Sequence, residues 1–389
     1  MIRIGNFILL IAALVGLIFP SSGRILAAEG GNTPQILCLP GIYPSDPGDC
    51  RPLGPSTYLT QMASKGITFP LSPLLAAPPD PALVNVDVRY AMVNNYSAPV
   101  YGSLEQAIAH DRKSAASMIN ADFAYISYRD EAVVGGKRFY MIDTNQWMTA
   151  ADVSRIGVLP RFQGLVFSQT PNIQFGWIYN GPYETKRTPG DQGQDFTGHV
   201  LQPYEVVQVY AVEQVKGDNW FLVGPDEWVP HRVLARVIPD LTPPPGVTAD
   251  RWISVNLEEQ TLAVYEKGRM VFATLIASGA EPFWTRPGTF QIREKLDLSP
   301  MSGGFDSNAA GGYYLEDVPW AMYFDGARAL HGAYWRSKLG FAQSHGCVNL
   351  SIGDAHWLFD WANVGDFVYV WDPSGLTPTD PNLYSSGGY

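Results

Sequence analysis

Residues 251–279, "RWISVNLEEQTLAVYEKGRMVFATLIASG", restrict the fold more than any other stretch of the chain. Apolar residues alternate with polar ones at Ile253 and Val255 and again at Leu262 and Val264, and Glu-Lys-Gly forms a turn into the next run. A period of two with a tight turn predicts an antiparallel meander with one buried face. "TRPGTFQI" (285–292) reads as a Pro-Gly turn entering a further strand. "PWAMYFDGARALHG" (319–332) gives two strands around Asp-Gly and leaves His331 at a strand end. Ser351 and Asp354 have the spacing of a capping box, with Trp357, Leu358 and Trp361 on the inner face of a short helix. Gly365-Asp366 then turns into "FVYVW". These residues are thus expected to form a β-rich domain with one short helix. The 11 Trp, 20 Tyr and 18 Phe suit a mainly β chain.

Upstream, two stretches repeat weakly. "RYAMVNNYSAPVYGS" (89–103) resembles "FGWIYNGPYETKRTPG" (175–190), and "RFYMIDTNQWMTAADVSRI" (138–156) resembles "NWFLVGPDEWVPHRVLARV" (219–237), with Trp147 and Trp228 in matching places. The pattern resembles tandem bacterial SH3-like domains, which implies two small β-barrels at 85–160 and 161–238 acting as a wall-binding or spacer module. A Pro-rich linker spans 239–247, where consecutive prolines favour an extended connection. Residues 29–84 read as a Pro-rich lead-in and 374–389 as a disordered tail.

The first residues combine Arg3, an apolar run from Ile4 to Phe19 and a small-residue site at Leu26-Ala27-Ala28. That is the pattern of a signal peptide over 1–28, or of a membrane tether where it stays uncleaved. Both place the rest of the chain outside the cytoplasm, in the cell wall, periplasm or extracellular space. Cys38 and Cys50 are expected to pair there, leaving Cys347 as the odd cysteine. A net charge of −11 without a Lys/Arg cluster argues against nucleic acid as a partner.

"SHGCVNL" (344–350) places Cys347 among small residues, sixteen positions after His331. A thiol attacks as the thiolate and needs a base or a lowered pKa to do so at neutral pH. His331 at a strand end is the natural partner, and backbone N–H groups of Gly346 and Cys347 are candidates for an oxyanion hole. His331-Gly332 followed by Ser344-His345-Gly346-Cys347 and Asn349 resembles the catalytic motif of the L,D-transpeptidases, the YkuD-type domain, over roughly 248–373. The resemblance implies a β-sandwich fold over 248–373, with Cys347 the nucleophile and His331 the general base and acid. It implies that the Gly332 carbonyl orients His331, and that Ser344, His345, Gly346 and Asn349 shape the site. The implied reaction is acyl transfer on peptidoglycan stem peptides. A donor tetrapeptide loses its terminal D-alanine, and an acceptor amine, or water in a carboxypeptidase, resolves the thioester. Sensitivity to carbapenem-type inhibitors follows from the same chemistry, and no metal or cofactor is called for. The twelve residues between His331 and Ser344 are few for this family. They carry Tyr334, Trp335 and Arg336, which are taken as candidate substrate contacts.

Other readings fit less well. A structural zinc site wants four ligands at regular spacing, and this domain has one cysteine. NlpC/P60 peptidases place the cysteine before the histidine. Sortases need a downstream arginine, and no Arg or Lys follows Cys347. A non-catalytic wall-binding protein would have no need of both His331 and Cys347.

Overall fold

The computed structural model describes residues 55–67, 73–156, 159, 161–190, 193, 195–303 and 312–384. The expected signal peptide and the Cys38–Cys50 pair lie outside the described residues. The chain is mainly β, with three α-helices among the described residues, and no described helix is long and apolar enough to cross a membrane.

Two seven-stranded sheets carry the C-terminal region. The meander read from residues 251–279 forms as Arg251–Asn256, Thr261–Glu266 and Arg269–Leu275, paired antiparallel in that order. Phe367–Trp371 joins in parallel beside Arg251–Asn256, and Gly288–Gln291 closes that edge. The facing sheet is built on the hairpin Glu294–Gly303 and Tyr313–Asp325, followed by Arg328–Gly332 and Val348–Leu350. The alternation has its predicted consequence in the core. Ile253, Val255, Leu262 and Val264 of one sheet meet Met322, Phe324 and Leu330 of the other, all fully buried or nearly so.

Both sheets continue into the upstream modules. Phe123–Tyr128 pairs in parallel with Tyr313–Asp325, matching Phe123 to Tyr313 and Tyr125 to Leu315, and Arg89–Val93 extends the sheet beyond it. Leu165–Phe167 pairs with Arg269–Leu275, and Ala76–Ala77 covers it in turn. Around these shared strands lie smaller sheets of three and five strands between residues 174 and 237, and of two and three strands between 98 and 149. Among the described residues neither region closes into a barrel. Trp228 is fully buried with Trp220 and Leu222, whereas Trp147 is half-buried beside Tyr101 and Phe139.

The segment expected to be a disordered tail is ordered to Tyr384. The guanidinium of the buried Arg328 donates to the Tyr384 carbonyl at 3.2 Å and lies 5.3 Å from the tyrosine ring. A buried cation needs acceptors, and the tail supplies one together with Asp325 at 3.3 Å.

The short helix is Ile352–Trp361, and the Ser351 hydroxyl accepts from the Asp354 amide as its cap. The Asp354 carboxyl turns inward instead of completing the box. It accepts from Thr274 Oγ1 at 2.6 Å and from the Gly164 amide at 2.8 Å, tying the helix to the meander and to the upstream chain. Burial raises its pKa from 3.8 to about 6, against the pull of those hydrogen bonds. The folded protein therefore holds this proton to higher pH than the unfolded chain. The contribution to stability is full below pH 3.8 and declines as pH climbs through about 6. Asp354→Asn should fold and show a shallower loss of stability between pH 4 and 6 in chemical denaturation. Asp354→Ala, which strands two donors, should cost roughly 2–4 kcal/mol.

Candidate active site

The strands Arg328–Gly332 and Val348–Leu350 run parallel, and their register sets His331 opposite Asn349. The second strand is pinned from its other side by two 2.9 Å hydrogen bonds exchanged between Ala277 and Asn349. Cys347 stands immediately before it. Gly346, at φ +112°, makes the turn that delivers the thiol. A Cβ there would lie 3.0 Å from Arg328 Nε, so the turn needs glycine for both reasons. Thr285, inside the Pro-Gly turn, fixes that corner: its hydroxyl donates to the Gly346 carbonyl at 2.9 Å and accepts from the Gly279 amide at 2.8 Å.

His331, Cys347, Asn349, Ser344 and His345 line one cavity of about 240 Å³. The imidazole is fully buried. Its Nδ1 lies 3.1 Å from the Gly332 carbonyl, which can only accept, so Nδ1 carries the proton. Nε2 is then an acceptor, and Asn349 Nδ2 donates to it at 3.0 Å. Arg336 Nε donates to Asn349 Oδ1 at 3.1 Å, which fixes the orientation of that amide. Burial lowers the His331 pKa to about 4, with the Arg336 charge adding to the effect, so the ring is neutral at pH 7.

The Cys347 thiol is partly exposed and donates a long hydrogen bond, 3.8 Å, to the Ala327 carbonyl. Burial pushes its pKa up, while the Ala329 amide and the Arg328 charge pull it down. Thiol and imidazole are both neutral at rest. The Ser344 hydroxyl donates to the Cys347 carbonyl and accepts from the Gly346 amide at 3.2 Å. The Gly346 N–H expected for an oxyanion hole is thus already engaged, because the serine side chain competes for it. His345 lies between the rings of Phe283 and Tyr313.

The three candidate contacts of the short loop separate. Trp335 and Arg336 line the cavity, and the Trp335 ring lies 5.7 Å from that of His331. Tyr334 does not line it. The tyrosine is buried, stacked on Tyr90 at 3.6 Å, with its hydroxyl donating to the Glu316 carbonyl, because packing against the upstream module consumes its ring. The Gly- and Ser-rich stretch 296–320 reads from sequence as a lid over the site, and three residues of the remaining wall come from it. Met301, Tyr313 and Leu315 come from the hairpin, and Phe123 comes from the upstream module. The Gly- and Ser-rich stretch from 296 to 320 concealed the hairpin, and nothing near Phe123 in sequence marks it.

Residues 250–370 match the YkuD family model, described as the L,D-transpeptidase catalytic domain. L,D-transpeptidase 1 of Mycobacterium tuberculosis is 32% identical over 171 residues, or 39% of this chain and 65% of that protein. The match thus spans a little under two thirds of that relative. Among solved structures, the catalytic domain of the Enterococcus faecium L,D-transpeptidase acylated by ertapenem is 27% identical. It covers 32% of this chain and 100% of that one at a TM-score of 0.29. An L,D-transpeptidase from Mycobacterium smegmatis is 20% identical over 54% of this chain and 90% of that one, at a TM-score of 0.30. Residues 250–370 therefore carry a YkuD domain, the L,D-transpeptidase catalytic domain.

Proposed function

We propose that this chain is an exported peptidoglycan L,D-transpeptidase that works by cysteine acyl transfer, with its upstream modules serving as SH3-like wall-binding or spacer elements. The observation that carries the reading is the convergence of a neutral imidazole and a free thiol on one cavity at adjoining strand ends. In the first half-reaction, His331 Nε2 accepts the thiol proton and Cys347 Sγ attacks the carbonyl of the third residue of a donor tetrapeptide. The amide bond to the terminal D-alanine then breaks, and His331 returns the proton to the departing amine. In the second half-reaction an amine of an acceptor stem gives its proton to His331 and attacks the thioester. The new amide bond forms, and the proton passes back to Cys347. With water in place of the amine, the same steps give a carboxypeptidase.

The resting site is poised but not ionised. His331 becomes cationic only near pH 4, and the thiol ionises above its ordinary range. Proton transfer therefore accompanies attack instead of preceding it, which suits a base whose conjugate acid must later protonate a poor leaving group. Asn349 occupies the Nε2 lone pair at rest, so the thiol proton must displace that hydrogen bond.

Incubation of the protein with a carbapenem should give a one-to-one adduct by intact mass that is absent in Cys347→Ala. Stem-peptide turnover should vanish in the same variant while its melting temperature holds; turnover retained by Cys347→Ala ends the proposal. His331→Ala should reduce turnover by roughly 10²- to 10⁴-fold, the range for loss of a general base. Alkylation of Cys347 by iodoacetamide should accelerate about tenfold per pH unit from pH 5 to beyond 8 without a shoulder. A plateau in that window would reveal a thiolate–imidazolium pair and contradict the neutral resting state.

A further inference from the structure

Twelve residues line the catalytic cavity, and none is a carboxylate, in a chain with 37 acidic side chains against 26 basic ones. His331 and His345 are both held neutral by burial. Arg336 is therefore the one formal charge on the cavity lining among the described residues. Its partners are all neutral: Nε on Asn349 Oδ1 at 3.1 Å, Nη1 on Gln343 Oε1 at 3.2 Å and Nη2 on the Gln343 carbonyl. A guanidinium has five N–H donors, so one remains on each terminal nitrogen. A largely desolvated cation without a counter-charge is costly, and an incoming anion relieves that cost while completing the hydrogen bonds. The apolar wall of Phe123, Met301, Leu315 and Trp335 keeps water from competing for the same donors.

We propose that Arg336 is a specificity-determining anchor for an anionic group of the ligand, the carboxylate that ends the donor stem. The inference rests on the transpeptidase reading and deepens it. Anchoring the terminal carboxylate at Arg336 sets the bond to be cleaved between that anchor and Cys347. It also draws on the guanidinium that orients Asn349, and through Asn349 the lone pair of His331. A site that senses the end of the stem next to its base discriminates a free terminus from an extended or capped one.

The test uses the Cys347→Ala protein, so that binding is read without chemistry. Calorimetric titration compares a tetrapeptide ending in D-alanine with the same peptide ending in D-alaninamide. The free acid should bind roughly 10- to 100-fold more tightly, the range for a charge-assisted pair. In Cys347→Ala/Arg336→Gln the preference should collapse to about one with the amide's affinity unchanged. Arg336→Lys in the same background should keep part of the preference. Equal affinities of the two peptides in the parent, or binding of neither, overturns the anchor. A loss that falls equally on both peptides in Arg336→Gln also overturns it, by showing a structural role alone. Turnover by the protein with Cys347 intact is read separately. Turnover without a carboxylate preference removes the anchor and spares the transfer reading, whereas a preference without turnover does the reverse.

Discussion

The chemistry of this chain depends on one pairing, the parallel register of Arg328–Gly332 with Val348–Leu350. It sets Asn349 against His331 and leaves the residue before the strand, Cys347, on the lining of the same cavity. The exchange of hydrogen bonds with Ala277 holds the short strand from behind, and Thr285 holds the Gly346 turn. Three residues of strand cannot define a position alone. The surrounding backbone does so, and the site inherits the rigidity of the sandwich.

Burial decides the protonation state. Desolvation works against both the imidazolium and the thiolate: at His331 the Arg336 charge reinforces it against the hydrogen bond to Gly332, and at Cys347 it outweighs the Ala329 amide and the Arg328 charge. The thiol and the imidazole therefore both rest neutral in the cavity. The hydrogen bond from Asn349 to Nε2 has the same effect, since it satisfies a buried acceptor that would otherwise lack a partner. Polar groups in this cavity are satisfied by neutral partners, which is why the lone guanidinium is conspicuous.

Much of the catalytic region was legible in the sequence. Alternation at Ile253, Val255, Leu262 and Val264 foretold which side chains meet the facing sheet, and Ser351 caps the helix as its spacing implied. The histidine and cysteine could be singled out because their residue types and small neighbours suit a nucleophile. What could not be read was pairing at long range. The aromatic and β-branched residues of Phe123–Tyr128 suit a strand, but do not say that its neighbour lies some 190 residues later at Tyr313. Tyr334 looked like a ligand contact because an aromatic in a tight loop next to a histidine reads the same way whether it faces a cavity or a tyrosine from another module. The Gly- and Ser-rich hairpin was masked by composition, since its strands derive their order from pairing and not from propensity.

The shared strands also determine how this chain can be divided. Cutting at residue 248 would remove Leu165–Phe167 from Arg269–Leu275 and Phe123–Tyr128 from Tyr313–Asp325. Two rows of backbone donors and acceptors, one on each sheet, would then be open to any passing strand. An excised catalytic fragment of this protein is thus a candidate for edge-to-edge self-association, even though it would keep every fully buried residue of the core between the sheets and lose only Val166 from its margin. The upstream modules act as edge protection for the YkuD domain that follows them.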